Sequence, residues 1–165
     1  MNSKIAILRG INVGGKRKIL MADLKSICEK IGWKEVKTYI QSGNIIFESD
    51  DSNEDLGVEL SKEILDQYGF EVPVIIRSVE NLQTSIGKNP FYDSVADINK
   101  LHLTFLKAKP LEESLQEINS QSFEPDQFVI DNQDVFIYCE GKYHESKLTN
   151  NFFEKKLKVG ATTRN

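Results

Sequence analysis

The spacing of apolar residues in the first half of the chain predicts the element order β-α-β-β-α-β. Short apolar or alternating runs are typical of strands, whereas the apolar residues between positions 21 and 31 recur at helical spacing. Ser42-Gly43 separates two strands as a hairpin turn, and Ser52 with Asp55 forms the capping-box pattern of a helix start. The predicted strands are residues 5–9, 35–41, 44–48 and 72–77, and the predicted helices are residues 21–31 and 52–68.

The second half of the chain repeats this order after an intervening segment, residues 78–100. That segment contains a short predicted helix and the loop GKNPFYD. The chain reaches its end within GATTRN, where the pattern leads us to expect a further strand or helix. Strands are predicted at residues 101–106, 127–131 and 134–140, and helices at residues 81–86, 111–118 and 150–157.

The repeated order predicts an α+β fold of two ferredoxin-like units (α-β plait, split β-α-β) packed together. The first unit is predicted to span residues 1–78, and a connecting helix and loop span residues 79–100. The second unit spans residues 101–165, with a truncated C-terminal end. The runs IAIL, VPVII and VFIY are apolar at successive positions, which indicates that both faces of each sheet are covered.

Composition is that of a soluble globular protein, with 39% hydrophobic and 28% charged residues. We expect no membrane helix and no signal peptide, because no apolar run approaches the roughly 20 residues that a membrane span requires. Cys28 and Cys139 lie inside apolar patterns, as buried reduced thiols of a cytoplasmic protein do. His102 lies in a strand pattern typical of a packed side chain, and His144 has no Cys or Ser partner at motif spacing. No metal site and no cofactor are therefore expected.

Positive charge is concentrated near the N-terminus, although the net charge of the chain is −4. Residues 1–22 contain five cations and no acid, and the segment LRGINVGGKRK combines four of those cations with three glycines. An acidic total argues against general adhesion to nucleic acid, so this segment indicates a local positive site.

Topology predicts a second stretch beside this segment. In a split β-α-β unit, the end of the first strand and the turn after the second strand lie at the same end of the sheet, so residues 9–18 and 41–44 should be neighbours. Glycines permit a concave nest of backbone N–H groups, arginine offers a planar fork, and lysines add point charges. The spacing matches neither a Walker loop nor G-x-G-x-x-G, and glycine turns with solvated cations are the alternative interpretation. The candidate ligand-binding residues are Arg9, Gly10, Asn12, Gly14, Gly15, Lys16, Lys18, Gln41, Ser42 and Asn44.

Three long segments carry a resemblance to a known family. LRGINVGGKRKILMADLK, TYIQSGNIIF and SKLTNNFFEKKLKVGATTRN resemble the uncharacterised family called domain of unknown function 1697 (DUF1697) over nearly the whole chain. The resemblance implies two α-β plaits and favours a site at the opening loop, but it implies no activity because the family has none assigned. Members normally continue past Asn165 with a tryptophan and a final apolar segment, which makes this chain a C-terminally short member. The motif positions that carry over are Arg9, Gly10, Asn12, Gly14, Gly15, Lys16, Tyr39, Gln41, Ser42, Gly43, Asn44, Lys147, Thr149, Thr162, Arg164 and Asn165.

Three classes of function stay open. The favoured one is a binding module for a phosphorylated or carboxylated small ligand at residues 9–18 and 41–44. A nucleic-acid-binding protein is the second, since α-β plaits often present a sheet to RNA, but the acidic total and the missing RNP-like aromatic pattern argue against it. An enzyme that uses the same anion site is the third, and its catalytic residues are unknown because no nucleophile–base pair or metal cluster is visible.

The C-terminal end of the chain leads to one expectation about partners, which is self-association. If the missing segment completes a core, apolar surface near Phe152, Phe153 and Leu157 is left uncovered. Exposed apolar surface of this kind favours self-association. No membrane partner is expected.

Overall fold

The structure, a computed structural model, describes residues 1–165 and divides into two units, Met1–Thr84 and Ser85–Asn165. Each unit contains one four-stranded antiparallel sheet. The third helix, α3 (Val79–Lys88), runs across the division between them. The predicted α+β fold of two ferredoxin-like units is confirmed.

The first unit has the element order β-α-β-β-α-β, and its strands lie in the sheet in the order second, third, first, fourth. The first and third strands pair antiparallel, with Ile5 opposite Ile46 and Ala6 opposite Ile45. Its elements are β1 (Asn2–Leu8), α1 (Met21–Lys30), β2 (Lys34–Tyr39), β3 (Asn44–Ser49), α2 (Asn53–Tyr68) and β4 (Val74–Ser78).

Several boundaries in the first unit differ from the predicted ones, by three residues at the start of β1 and by one or two residues elsewhere. The fourth strand begins at Val74 rather than at residue 72, because Pro73 has no N–H to contribute to a strand ladder. The second strand ends at Tyr39, because Ile40 has a φ of 53° and turns the chain there. The predicted capping of α2 is confirmed, since the hydroxyl of Ser52 accepts a hydrogen bond of 3.1 Å from the backbone N–H of Asp55.

The core of the first unit lies between its sheet and its two helices. Trp33, the only tryptophan, stacks on Phe47 with ring centroids 3.7 Å apart. Ile7 and Ile75, which point to the face of the sheet opposite the helices, are also buried, as their unbroken apolar runs predict. The core residues contributed by the helices are Leu24, Ile27, Cys28, Leu56, Leu60 and Ile64.

The second unit repeats the order β-α-β-β-α-β, and its strands lie in the sheet in the same order as those of the first unit: second, third, first, fourth. Short 3-10 turns precede its first strand and its second helix, at Ile98–Lys100 and Tyr143–Glu145. Its regular elements are β5 (Leu101–Leu106), α4 (Glu112–Asn119), β6 (Gln127–Asp131), β7 (Asp134–Tyr138), α5 (Asn150–Leu157) and β8 (Ala161–Arg164).

The C-terminal expectation of uncovered apolar surface is wrong. Residues within GATTRN form β8, which pairs with β5 and supplies the fourth strand of the second sheet. Phe153 is 0% and Leu157 is 1% exposed, because both pack with Leu106 and Ala161 in the core of this unit. Phe152 is half-buried and meets Phe153 edge to face at 5.2 Å. Apolar surface at α5 therefore gives no reason for self-association.

None of the helices combines the length and the apolar composition that a membrane crossing requires.

Candidate functional site

The end of β1 lies against the turn between β2 and β3, as the topology predicts. The backbone N–H of Leu8 donates to the carbonyl of Gly43 at 2.8 Å, and the N–H of Arg9 donates to the carbonyl of Pro73 at 3.1 Å. From this point the chain leaves the sheet as the cationic loop, which we define as residues 9–20. The hairpin turn, which we define as residues 40–43, lies beside it.

The cationic loop folds as a small hairpin of its own. The N–H of Asn12 donates to the carbonyl of Arg17 at 3.1 Å, and the N–H of Lys16 donates to the carbonyl of Val13 at 3.0 Å. The two central residues are Gly14 and Gly15, with φ of 58° and 73°, as the mirror-image turns of tight hairpins require. The glycine pair therefore sets the shape of the loop tip.

Asn12 fastens the loop to its surroundings. Its Nδ2 donates to the carbonyl of Ile19 at 3.0 Å and to the carbonyl of Gln41 at 2.8 Å, and its Oδ1 accepts from the N–H of Ile19 at 2.9 Å. Ile11 and Ile19, on either side, are 1% and 3% exposed and anchor both ends of the loop in the core. The side chain of Asn12 thus joins the cationic loop to the hairpin turn.

The hairpin turn is tightly packed. A Cβ on Gly43 would lie 2.8 Å from both the Cβ of Leu8 and the Cδ1 of Ile11, so only glycine fits there. Asn44 closes the turn, since its Nδ2 donates to the carbonyl of Tyr39 and to the hydroxyl of Ser42, each at 3.1 Å. Ile40 holds a φ of 53°, a rare conformation for a β-branched residue. Such strain persists only where the surroundings impose it, and it is concentrated at functional sites.

Three adjacent cations follow the glycine pair in the loop. Lys16, Arg17 and Lys18 are exposed and form no ion pair. The guanidinium of Arg17 lies over Gly10, where a Cβ would come within 3.1 Å of its Nη1. Arg9, at the base of the loop, is half-buried. Lys16, Arg17 and Lys18 are therefore three successive positive charges, none of which is paired with an acidic side chain.

An open pocket of about 650 Å³ lies at the side of the cationic loop. Asp23 on α1 and Tyr68 at the end of α2 meet in its wall, where the hydroxyl of Tyr68 donates to Oδ2 of Asp23 at 3.1 Å. Burial and this hydrogen bond to the Asp23 carboxylate raise the pKa of Tyr68, so its hydroxyl is a donor at neutral pH. The pocket is lined by Asn12, Gly15, Lys18, Ile19, Leu20, Met21, Asp23, Gln41 and Tyr68.

Sequence reasoning found part of this arrangement and missed part of it. The two predicted stretches are neighbours, and Asn12, Gly15, Lys18 and Gln41 all face one pocket. Asp23 and Tyr68 were missed, because they lie 45 residues apart and no local motif connects them. The one available signal was that two helices must pack on the same face of a split β-α-β sheet.

The C-terminal motif residues lie in the second unit, where Thr149 and Asn165 form side-chain hydrogen bonds with its backbone. Thr149 caps α5, with its Oγ1 accepting from the N–H of Phe152 at 3.2 Å. Asn165 donates to the carbonyls of Ile98 and Leu101 at 2.9 and 2.8 Å. Burial lowers the pKa of Arg164 to about 10. Lys147 is exposed and Thr162 is buried.

Neither histidine has the surroundings of a catalytic base. His102 stacks on Tyr143 with centroids 4.5 Å apart, and burial lowers its pKa. His144 is exposed, and its Nε2 lies 3.7 Å from Oε1 of Glu145. No group of three metal-ligating side chains occurs in the structure.

Two ferredoxin-like units, the first with a glycine-rich cationic loop, define the class of this protein. The chain belongs to the family described as "Protein of unknown function (DUF1697)", which matches residues 1–136. A similar solved structure is "the structure of conserved bacterial protein SP0830 from Streptococcus pneumoniae", with a TM-score of 0.77 and 25% identity. That match covers 99% of this chain and 92% of the other. No curated protein matches the sequence.

Proposed function

We propose that this protein binds a small anionic ligand, phosphorylated or carboxylated, at the cationic loop and the hairpin turn. The observation that carries the proposal is a contrast between equivalent connections in the two units. In the second unit, residues 107–111 lead from β5 to α4, whereas residues 9–20 lead from β1 to α1 in the first. The fold can make this connection with fewer than half the residues, so the longer loop serves a purpose other than topology.

The chemistry of the loop suits an anion. Lys16, Arg17 and Lys18 are successive positive charges, and their mutual repulsion is relieved when an anion binds between them. A hydrogen bond to a charged group contributes about 1.5–3 kcal/mol, against about 1 kcal/mol or less for an exposed ion pair. A loop already fixed by the Asn12 side chain loses little conformational entropy when the ligand binds.

A depression on the second unit has the opposite character. It measures about 800 Å³ and is lined by the acids Glu124 and Asp126 with no lysine or arginine. Asp126 is also engaged within its unit, since its carboxylate accepts from the N–H of Glu140 at 3.0 Å and from the hydroxyl of Ser146 at 2.6 Å. An anionic ligand therefore favours the first unit.

A titration with inorganic pyrophosphate, followed by two-dimensional ¹H–¹⁵N NMR at low salt, tests this function. We expect the largest shifts at the amides of Gly10, Gly14 and Gly15. Gly141 and Gly160 in the second unit are internal controls and should shift little. Equal shifts at both sets of glycines, or no saturable shifts, would contradict an anion site at the loop.

We also propose a cytoplasmic location. Cys28 and Cys139 are both free and buried, a usage typical of reducing compartments. Burial raises the pKa of the Cys28 thiol to about 12, which keeps it protonated and unreactive. Fractionation of cells that express the tagged protein is the corresponding measurement.

A further inference from the structure

We propose that the pocket beside the cationic loop binds a ribonucleoside 5′-phosphate, with the phosphate at Lys18 and the ribose hydroxyls at Asp23. This inference rests on the proposed anion site and identifies the class of ligand that the site takes. Three properties of the pocket support it: opposite charges on its wall, an acceptor-only carboxylate, and apolar surface of suitable extent.

Opposite charges face this pocket without neutralising each other. Lys18 and Asp23 both line it, yet no ion pair within 4.0 Å joins them. A ligand that satisfies both must carry an anionic group at one end and hydrogen-bond donors at another. A simple inorganic anion satisfies only Lys18 and is repelled by Asp23.

The carboxylate of Asp23 selects hydroxyl donors. An ionised carboxylate is an acceptor only, with about four lone-pair positions on two oxygens. Oδ2 of Asp23 accepts from the Tyr68 hydroxyl, and the exposed carboxylate keeps Oδ1 for a ligand. The vicinal hydroxyls of a ribose present two donors, and an acidic side chain is a common partner of the ribose 2′-OH.

The rest of the wall suits a flat ring. Leu20, Met21 and the Tyr68 ring supply apolar surface, and Leu20 is 71% exposed. The amide of Gln41, also on the wall, offers both a donor and an acceptor to a base edge. A volume of about 650 Å³ lies within the roughly 300–1,000 Å³ of pockets that enclose drug-sized ligands.

Calorimetric titration of the full chain with AMP, dAMP, ribose 5-phosphate, adenosine and inorganic pyrophosphate tests the inference. AMP should bind at least tenfold more tightly than dAMP, adenosine or pyrophosphate. Guanosine, cytidine and uridine monophosphates extend the comparison to the other bases. Equal affinity for AMP and dAMP would overturn the assignment of the ribose to Asp23.

Two variants separate this inference from the proposed function. Asp23→Asn should weaken AMP binding at least tenfold and leave pyrophosphate binding unchanged or stronger, because a repelling charge is removed. Glu29→Gln, on the exposed side of the same helix, is the matched control and should change neither. Saturable pyrophosphate binding at the loop, with AMP no tighter than pyrophosphate, overturns the nucleotide inference and leaves the anion site intact. If neither ligand binds, both proposals fail.

A 5′-phosphate on a ribose with a free 2′-OH occurs in a free nucleotide and at the 5′ end of an RNA, although the 3′-OH of the RNA end is esterified. A ten-nucleotide RNA with and without a 5′-phosphate distinguishes the two sources. Binding of AMP alone, or tighter binding of AMP than of the phosphorylated RNA, identifies the free nucleotide. Tighter binding of the phosphorylated RNA than of its unphosphorylated form identifies an RNA end. Equal binding of both RNAs, with a steep salt dependence, would overturn the pocket inference in favour of backbone contacts.

Discussion

The two units of this chain build the same sheet but connect its first strand to its first helix in different ways. In the first unit, Leu8 donates to the carbonyl of Gly43 at 2.8 Å; in the second, Leu106 donates to the carbonyl of Gln133 at 2.8 Å. The next backbone N–H groups, those of Arg9 and Lys107, donate to the carbonyls of Pro73 and Gly160, respectively. The same backbone frame thus supports a long cationic loop in one unit and a short connection in the other, which separates what the fold needs from what the loop adds.

The largest difference in stability between the units should follow from substitution of the residue whose carbonyl accepts the hydrogen bond at the end of the first strand. Gly43 has a φ of 88°, and a Cβ there would lie 2.8 Å from the side chains of Leu8 and Ile11. Gly43→Ala should lower the unfolding free energy of the first unit by roughly 2–4 kcal/mol, combining left-handed strain and overpacking. Gln133→Ala, at the equivalent point of the second unit, should cost less.

Each unit carries its own reporter for this measurement. Fluorescence of Trp33 follows denaturation of the first unit, and protection of the Cys139 thiol from alkylation follows the second. A Gly43→Ala variant as stable as the wild type would show that the hairpin turn can relax. It would then give no rigid support to the loop.

Sequence patterns predicted the parts of the fold that depend on local periodicity. Strands and helices follow from apolar spacing, and topology brought residues 9–18 beside residues 41–44. The pattern left open whether a strand or a helix ends the second unit, because β8 is stabilised by pairing with β5, where Thr162 lies opposite Phe105. Non-local pairing of this kind leaves little signal in four residues.

The pocket wall was missed for a related reason. Tyr68 ends α2 and Asp23 lies in the first turn of α1, so only the packing of the two helices brings them together. Arg17 was visible as a cation but not as a site residue, because its position over Gly10 depends on a left-handed φ of 48°. Such geometry follows from the folded loop rather than from residue type.

A smaller difference in stability between the units is expected from the residues that end α2 and α5. Both α2 and α5 end at a left-handed residue, Gly69 in the first unit and Lys158, with a φ of 56°, in the second. Gly69→Lys should destabilise the first unit by about 1 kcal/mol, since open space around Gly69 leaves only the conformational cost. Lys158→Gly should stabilise the second unit by up to ~1 kcal/mol. Denaturant midpoints measure both effects, and shifts of the same sign in the two variants would contradict the explanation.

The smallest contrast is in pH dependence. Burial and the hydrogen bond to Asp23 raise the pKa of Tyr68. The contribution of Tyr68 to the stability of the first unit is therefore present at neutral pH and is lost as the pH rises through the raised pKa. Burial lowers the pKa of His102, so the second unit should lose stability as the pH falls below the ordinary histidine range near 6.5. Each of the variants Tyr68→Phe and His102→Gln should flatten the pH–stability profile of one unit only. A flattening of the alkaline profile by His102→Gln would oppose this assignment.

Removal of two charges from either connection tests the central claim most directly. Calorimetry with pyrophosphate compares wild type with the double variants Lys16→Gln/Lys18→Gln and Lys107→Gln/Lys109→Gln, in which all four lysines are exposed. We expect at least a tenfold loss of affinity in the first double variant and less than a twofold change in the second. Equal losses of affinity in both double variants would mean that pyrophosphate binding depends on net charge alone, and would contradict a binding site at the cationic loop.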